Sequence, residues 1–267
     1  MALYGVLGDI HGNLEALRAV LAGLDERGVR ELLCVGDVVG YNADADACAA
    51  LLRRRGARAI LGNHDLIAIR RLGFERCSNN ARYALARTRR MLAPETADWL
   101  GALPERLLVA GGIALVHGGV RDVQLYMRTP PVIAANAALL RADFPTARIC
   151  FFGHSHFQKV YEVDDANSVT DLPLESVLLR ERLYFINMGS VDAQRKNGAR
   201  LAECAIFDSG AWTVEFLRVR YDAASTEAKA AAGGYRITPL LDRLYTWRRR
   251  LLPAAPQRAF SRQSKSA

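Results

Sequence analysis

Short apolar runs in this chain end repeatedly at a glycine or histidine block carrying acidic, amide or imidazole side chains. Residues 4–7 run into Gly8-Asp9-Ile10-His11-Gly12-Asn13, residues 31–35 into Gly36-Asp37, and residues 57–61 into Gly62-Asn63-His64-Asp65. Residues 113–117 end at His117-Gly118-Gly119, and residues 148–152 at Gly153-His154-Ser155-His156. Runs this short between turn signals read as buried strands, whereas Leu14, Leu17, Leu21 and Leu24 recur at helical spacing. The alternation predicts an open α/β sheet with its polar blocks at the C-terminal strand ends, the edge where such sheets bind ligands.

Further helices are expected over 45–55, over 79–91 with Asn79 or Asn80 as cap, from Pro94 to about 104, and over 134–141. Residues 106–110 and 113–117 read as a hairpin turned by Gly111-Gly112. The second half is β in character: 158–163, 183–186, 203–207 and 212–219, with a polar connection over 164–182. These strands suggest a second sheet packed on the first. The expected division is one domain over 1–220 and a C-terminal extension over 221–267 ending in a flexible basic tail.

The net charge of +8 is concentrated in that tail. Residues 242–267 carry seven Lys/Arg against Asp242, so the tail supplies +6 and the body is near neutral. A basic end of this kind is expected to be a solvated tail, with nonspecific polyanion or membrane-surface attraction as the alternative. No apolar run approaches the roughly 20 residues of a membrane span, and residues 1–7 lack a basic secretory leader. Five scattered cysteines, none in a Cys-x-x-Cys pair, argue against a disulfide framework and for the cytoplasm.

All five histidines fall in the polar blocks. Asp9 and His11 stand two residues apart, as do His154 and His156, and Asp37, Asn63 and His117 come singly from other strand ends. Two aspartates, four imidazoles and an amide oxygen suffice for two ligand sets sharing one Asp. Two divalent ions, two carboxylates and a hydroxide would leave such a centre at about +1, attractive to a phosphate ester. His64, next to Asn63, is placed to protonate a leaving group.

In order and in spacing, these blocks resemble those of the calcineurin-like metallophosphoesterases. Asn187-Met188-Gly189-Ser190-Val191 resembles a stretch of the small prokaryotic branch. The resemblance implies an α/β fold: a four-layer αββα sandwich of two mixed sheets flanked by helices. It implies that Asp9, His11, Asp37 and His156 hold one metal, and that Asp37, Asn63, His117 and His154 hold a second, with Asp37 bridging. His64 matches the general acid, a metal-bridging hydroxide the nucleophile. The implied metals are two divalent ions, Mn²⁺ first, with Fe, Zn²⁺ or Ni²⁺ as alternatives.

Gly40 and Tyr41 stand where the serine/threonine phosphatases carry an Asp that orients the catalytic His and an Arg that grips phosphate. What orients His64 is then open, with Asp65 as one candidate. Met188 replaces a usual Pro, and residues 192–195 depart from the usual Gly-Gln-Pro-Arg. Candidate substrate contacts are Asn13, Asn42, Arg121, Tyr126 and Arg195, and segments 66–91 and 118–146 are expected to choose the ester. The expected activity is phosphatase or phosphodiesterase action on a small soluble ester. The alternatives are a nuclease or nucleotide-end phosphatase aided by the tail, and a non-catalytic scaffold like the retromer subunit of this fold.

Overall fold

The computed structural model describes residues 2–192 and 200–251. One sheet has the order β11-β10-β1-β2-β3, formed by β1 (Leu3–Leu7), β2 (Glu31–Cys34), β3 (Arg58–Ala59), β10 (Leu201–Asp208) and β11 (Thr213–Arg220). The other runs β4-β5-β6-β9-β7-β8, formed by β4 (Leu107–Val109), β5 (Ile113–Val116), β6 (Ile149–Phe152), β7 (Gln158–Val163), β8 (Val169–Leu172) and β9 (Leu183–Met188). Each sheet is mixed. β1, β2 and β3 are parallel, as are β5, β6 and β9, while β4, β7, β8, β10 and β11 pair antiparallel.

Side-chain alternation builds the layers. In β6, Ile149 and Phe151 face the core between the sheets, while Cys150 and Phe152 face the core under α6 (Pro130–Asp143). In β9, Tyr184, Ile186 and Met188 point inward and Leu183 and Phe185 outward. β1 does the same with Val6 inward and Leu7 toward α1 (Leu14–Asp25) and α2 (Ala45–Arg54). Both faces of the parallel strands are covered, which explains their continuous apolar runs. Phe151 is fully buried, its ring 5.8 Å from that of Phe207. Phe151→Ala is expected to cost about 3–5 kcal/mol, read from denaturant unfolding of the metal-free protein.

Several local features differ from the sequence expectation. The third polar block opens α3 (Asn63–Ala68), because Asp65 reaches back to accept the Gly62 N–H at 2.9 Å. α4 (Asn79–Met91) is capped by Ser78, whose hydroxyl accepts from Ala81 N at 3.2 Å, so neither Asn79 nor Asn80 is the cap. α5 (Pro94–Ala102) starts on its proline as expected. The polar connection over 164–182 contains β8, which pairs with β7 as an edge hairpin.

From residue 221 the described chain folds back as α7 (Ala223–Ala232) and α8 (Pro239–Leu251), so residues 242–251 are helical rather than a loose tail. Lys229 of α7 binds Glu15 and Asp44 at 2.5 and 2.9 Å. Asn79 of α4 donates to the Asp242 carboxylate of α8 at 3.0 Å. The remaining tail charges, Arg258, Arg262 and Lys265, lie outside the described residues. No described helix is long and apolar enough to cross a membrane. All five cysteines are buried free thiols.

Candidate metal centre

The strand ends are held in a backbone conformation that L residues avoid. Eight non-glycine residues among those described have positive φ, and five of them are Asp9, His11, Asp37, His154 and His156, at 50° to 63°. Each costs about 1–3 kcal/mol and persists only where surrounding contacts fix it. Asp37 supplies much of that fixing. Its carbonyl accepts the Ile10 and His11 N–H groups at 2.8 Å each, and its Oδ1 accepts the His64 N–H at 2.8 Å. Asp9 fixes the other side, both carboxylate oxygens accepting the His154 N–H at 3.1 and 3.0 Å.

These turns aim the side chains at one buried volume. Asp37 Oδ2 lies 3.7 Å from His11 Nε2 and 3.3 Å from His117 Nε2. His156 Nε2 is 3.4 Å from both Asp9 Oδ1 and His11 Nε2. His117 Nε2 is 3.0 Å from Asn63 Oδ1. Asp9, His11 and His156 form one group able to hold a cation, and Asp37, His117 and His154 form another. His11, Asp37 and His64 form a third, overlapping group.

The donor set fits divalent metal. His117 Nδ1 faces the Val35 carbonyl at 2.8 Å and must donate to it, so the Nε2 of the neutral ring carries a lone pair. That lone pair points at two other acceptors, Asn63 Oδ1 and Asp37 Oδ2. One proton or one cation has to sit among them. Burial alone would push His117 down, but the Asp37 and Asp9 carboxylates and the Val35 carbonyl outweigh it and bring its pKa up to about 9. Next to it, burial and the His117 charge take His154 down to about 3. The carboxylate of Asp37, raised by burial but lowered more strongly by His117, His64 and His11, stays well below the usual range. Ligand separations of 3.3–3.7 Å are close to the edge of about 3.3 Å expected for a tetrahedron with metal–ligand bonds near 2.0–2.1 Å.

A cavity of about 310 Å³ opens over this cluster. Asp37, Asn63, His64, His154 and His156 form its floor, and Tyr126, Arg76, Ser78 and Gln124 its walls. The wall residues belong to segments 66–91 and 118–146. Tyr126 lies at the rim, stacked on the His154 ring at 4.1 Å. No sequence motif marks Arg76 or Gln124. A larger cavity, about 920 Å³, meets the cluster only at His117.

Three candidate substrate contacts stand elsewhere. Asn13 is fully buried, its Oδ1 accepting from Ala16 N and Thr226 Oγ1 and its Nδ2 donating to Asp192. Asn42 donates to the His11 carbonyl and accepts from Arg236. Both amides brace the loops, with no polar end left for a substrate. Arg121 pairs with Asp143 at 2.5 Å in the larger cavity, away from the cleft. Arg195 lies outside the described residues. His64 Nδ1 makes no hydrogen bond to Asp65, whose two oxygens accept from Val39 N and Gly62 N.

The comparisons with known proteins agree with this geometry. The family model for calcineurin-like phosphoesterases matches residues 3–158, more than half of the chain. The chain belongs to that family. A metallophosphoesterase from Sphaerobacter thermophilus is 31% identical with a TM-score of 0.72, covering 91% of this chain and 97% of that one. A hypothetical protein from Pyrococcus horikoshii OT3 shares the fold at 18% identity and a TM-score of 0.66, covering 91% of this chain and 97% of its own. An uncharacterized protein of Methanocaldococcus jannaschii is 29% identical over 225 residues, 83% of this chain and 88% of that protein. The protein is therefore a metallophosphoesterase, a hydrolase acting on phosphoric esters, on an α/β fold of two mixed sheets flanked by helices.

Within this metallophosphoesterase, the stretch Asn187–Val191 ties the blocks together. Asn187 donates to the Gly153 carbonyl and the Ser155 hydroxyl at 2.9 Å each, and Ser190 Oγ donates to the Asp9 carbonyl at 3.0 Å. Met188, where a proline is usual, is buried as the last residue of β9.

Proposed function

We propose that the protein is a dinuclear-metal phosphoesterase acting on a small phosphate ester, with preference for a diester. The position of Asp37 Oδ2 between His11 Nε2 and His117 Nε2, at 3.7 and 3.3 Å, carries the reading. It makes Asp37 the shared ligand of two sets, Asp9–His11–Asp37–His156 and Asp37–Asn63–His117–His154. Two divalent ions bound there, Mn²⁺ being the first choice, would supply Lewis acidity and a water acidic enough to lose its proton near neutral pH. His64 stands on the cleft side of Asp37, anchored through its own N–H to Asp37 Oδ1. Burial, opposed by the Asp37 charge and aided by that of His117, lowers its pKa. In its protonated form it donates to the leaving oxygen.

The diester preference follows from charge. Arg76 is the cationic side chain lining the cleft among the described residues; its Nη1 donates to both Asp122 carboxylate oxygens at 2.9 and 2.8 Å, and its Nη2 to the Gln124 carbonyl at 2.8 Å. With that charge already compensated, no uncommitted guanidinium among the described residues lines the cleft to clamp a dianion. A cleft of about 310 Å³ also suits a small ester better than a polymer.

The test is reconstitution with Mn²⁺, a metal count per chain, and kcat/KM for bis-p-nitrophenyl phosphate against p-nitrophenyl phosphate. Two ions per chain and a diester advantage of about tenfold or more, about 1.4 kcal/mol, are expected. One ion per chain would sink the dinuclear reading; a monoester advantage would sink the diester preference. His64→Ala is expected to lose about 10²-fold or more in kcat on esters with poor leaving groups.

A further inference from the structure

We infer that Arg236, on the C-terminal extension, is a positioning residue for His64, acting through the Gly40–Asn42 loop. This rests on the reading of His64 as general acid. The problem it answers is physical. Nothing at position 40 can hold His64 by a side chain, because a Cβ there would lie 2.6 Å from His64 Nδ1 and 2.8 Å from His11 Nδ1. The His64 ring is instead packed against other rings, with Tyr41 at 4.8 Å and His11 at 4.5 Å between centroids. Tyr41 also meets the His11 ring at 4.8 Å, so its ring is a shared wall for the two imidazoles.

That wall is only as fixed as its backbone. Tyr41 sits in a loop without helix or strand, directly after a glycine at φ 151°. Arg236 holds the loop from outside. One guanidinium nitrogen donates to the Tyr41 carbonyl at 2.9 Å and the other to Asn42 Oδ1 at 3.0 Å. Asn42 in turn donates its side-chain amide to the His11 carbonyl at 3.1 Å. Glu227 of α7 orients the guanidinium, accepting from Nε and from a terminal nitrogen at 2.9 Å each. Thr88 of α4 secures the adjoining Gly40 carbonyl at 2.9 Å. One planar guanidinium thus spans two acceptors on the loop and a carboxylate behind it, a geometry lysine cannot reproduce. α7 itself is fastened to the first polar block, Thr226 donating to Asn13 Oδ1 at 2.9 Å. The extension is accordingly a brace on the acid side of the cleft.

The test combines leaving-group dependence with a double-mutant cycle on the metal-loaded full chain. Phenyl and p-nitrophenyl esters of the preferred class, mono- or diester, serve as substrates. Arg236→Ala is expected to lower kcat by about tenfold or more on the phenyl ester and by clearly less on the p-nitrophenyl ester, whose departure needs less proton transfer. KM and metal count should stay near those of the parent, and Arg236→Lys should recover part of the rate. In the His64→Ala background, Arg236→Ala should add less than about a twofold loss, since the two act as one unit. Glu227→Gln, which frees the guanidinium without removing it, gives a milder variant whose loss should show the same leaving-group dependence.

Equal losses on the two esters, a full loss persisting in the His64→Ala background, or a loss tracking departed metal would overturn the inference. Should His64→Ala itself lack leaving-group dependence, the general-acid reading fails and the brace fails with it. A leaving-group effect in His64→Ala but not in Arg236→Ala rejects the brace alone.

Discussion

Asp37→Ala is expected to remove one metal ion per chain and to lower turnover by about three decades or more. Metal stabilisation of transition-state charge is worth several kcal/mol, and each 1.36 kcal/mol is tenfold in rate. In the proposed reading Asp37 has the most to lose of any residue in the cluster, because its Oδ2 faces both His11 and His117 and its Oδ1 holds the His64 N–H. Asp37→Asn separates these roles. An amide oxygen can still accept the His64 N–H, but the shared negative charge is gone. Asn is therefore expected to keep the fold and lose the second ion, whereas Ala also loosens His64. Metal analysis beside steady-state rates decides it: two ions and a parent-like rate in either variant would end the shared-ligand reading.

Gly40→Ala should produce the next largest effect, from a single methyl group. The glycine is at φ 151°, a region closed to L side chains, and the added Cβ would press on both His64 and His11. Backbone strain and overpacking together predict a stability loss of about 1–3 kcal/mol. Activity should fall further than stability, because the displaced rings include the proposed acid and a proposed ligand. A melting curve, a metal count and the rate on a phenyl ester read the three consequences separately. Parent-like values in all three would show that the loop yields at little cost.

The contrast between Gly40 and the extension explains what could be read in the chain beforehand. The polar blocks were legible because each is local. In the first, second and fifth blocks a glycine is followed by residues of positive φ, in the third it opens α3, and the side chains that face the cluster lie within a few positions of the strand end. The strands carrying them were legible for the same reason, since alternation and apolar runs report burial on both faces. Asn13 lies in the first block and Asn42 shortly after the second, yet they brace loops. Their partners, Thr226, Asp192 and Arg236, are far away in the chain. Arg121 was drawn off by Asp143, 22 residues later. Arg76 reaches the cleft because Asp122, 46 residues on, holds it there.

By itself the sequence determined the sheet edge, the residues able to gather there and the class of chemistry they suit, because turns and periodicity act over a few residues. Tertiary structure alone decided how close Asp37 comes to both histidine groups, which wall residues meet the cleft, and what stands behind His64. Those distances are set by the packing of one sheet on the other and by the return of α7 and Arg236 across the first two blocks. A contact between residues nearly two hundred positions apart leaves no periodic trace, so only the folded chain reveals it.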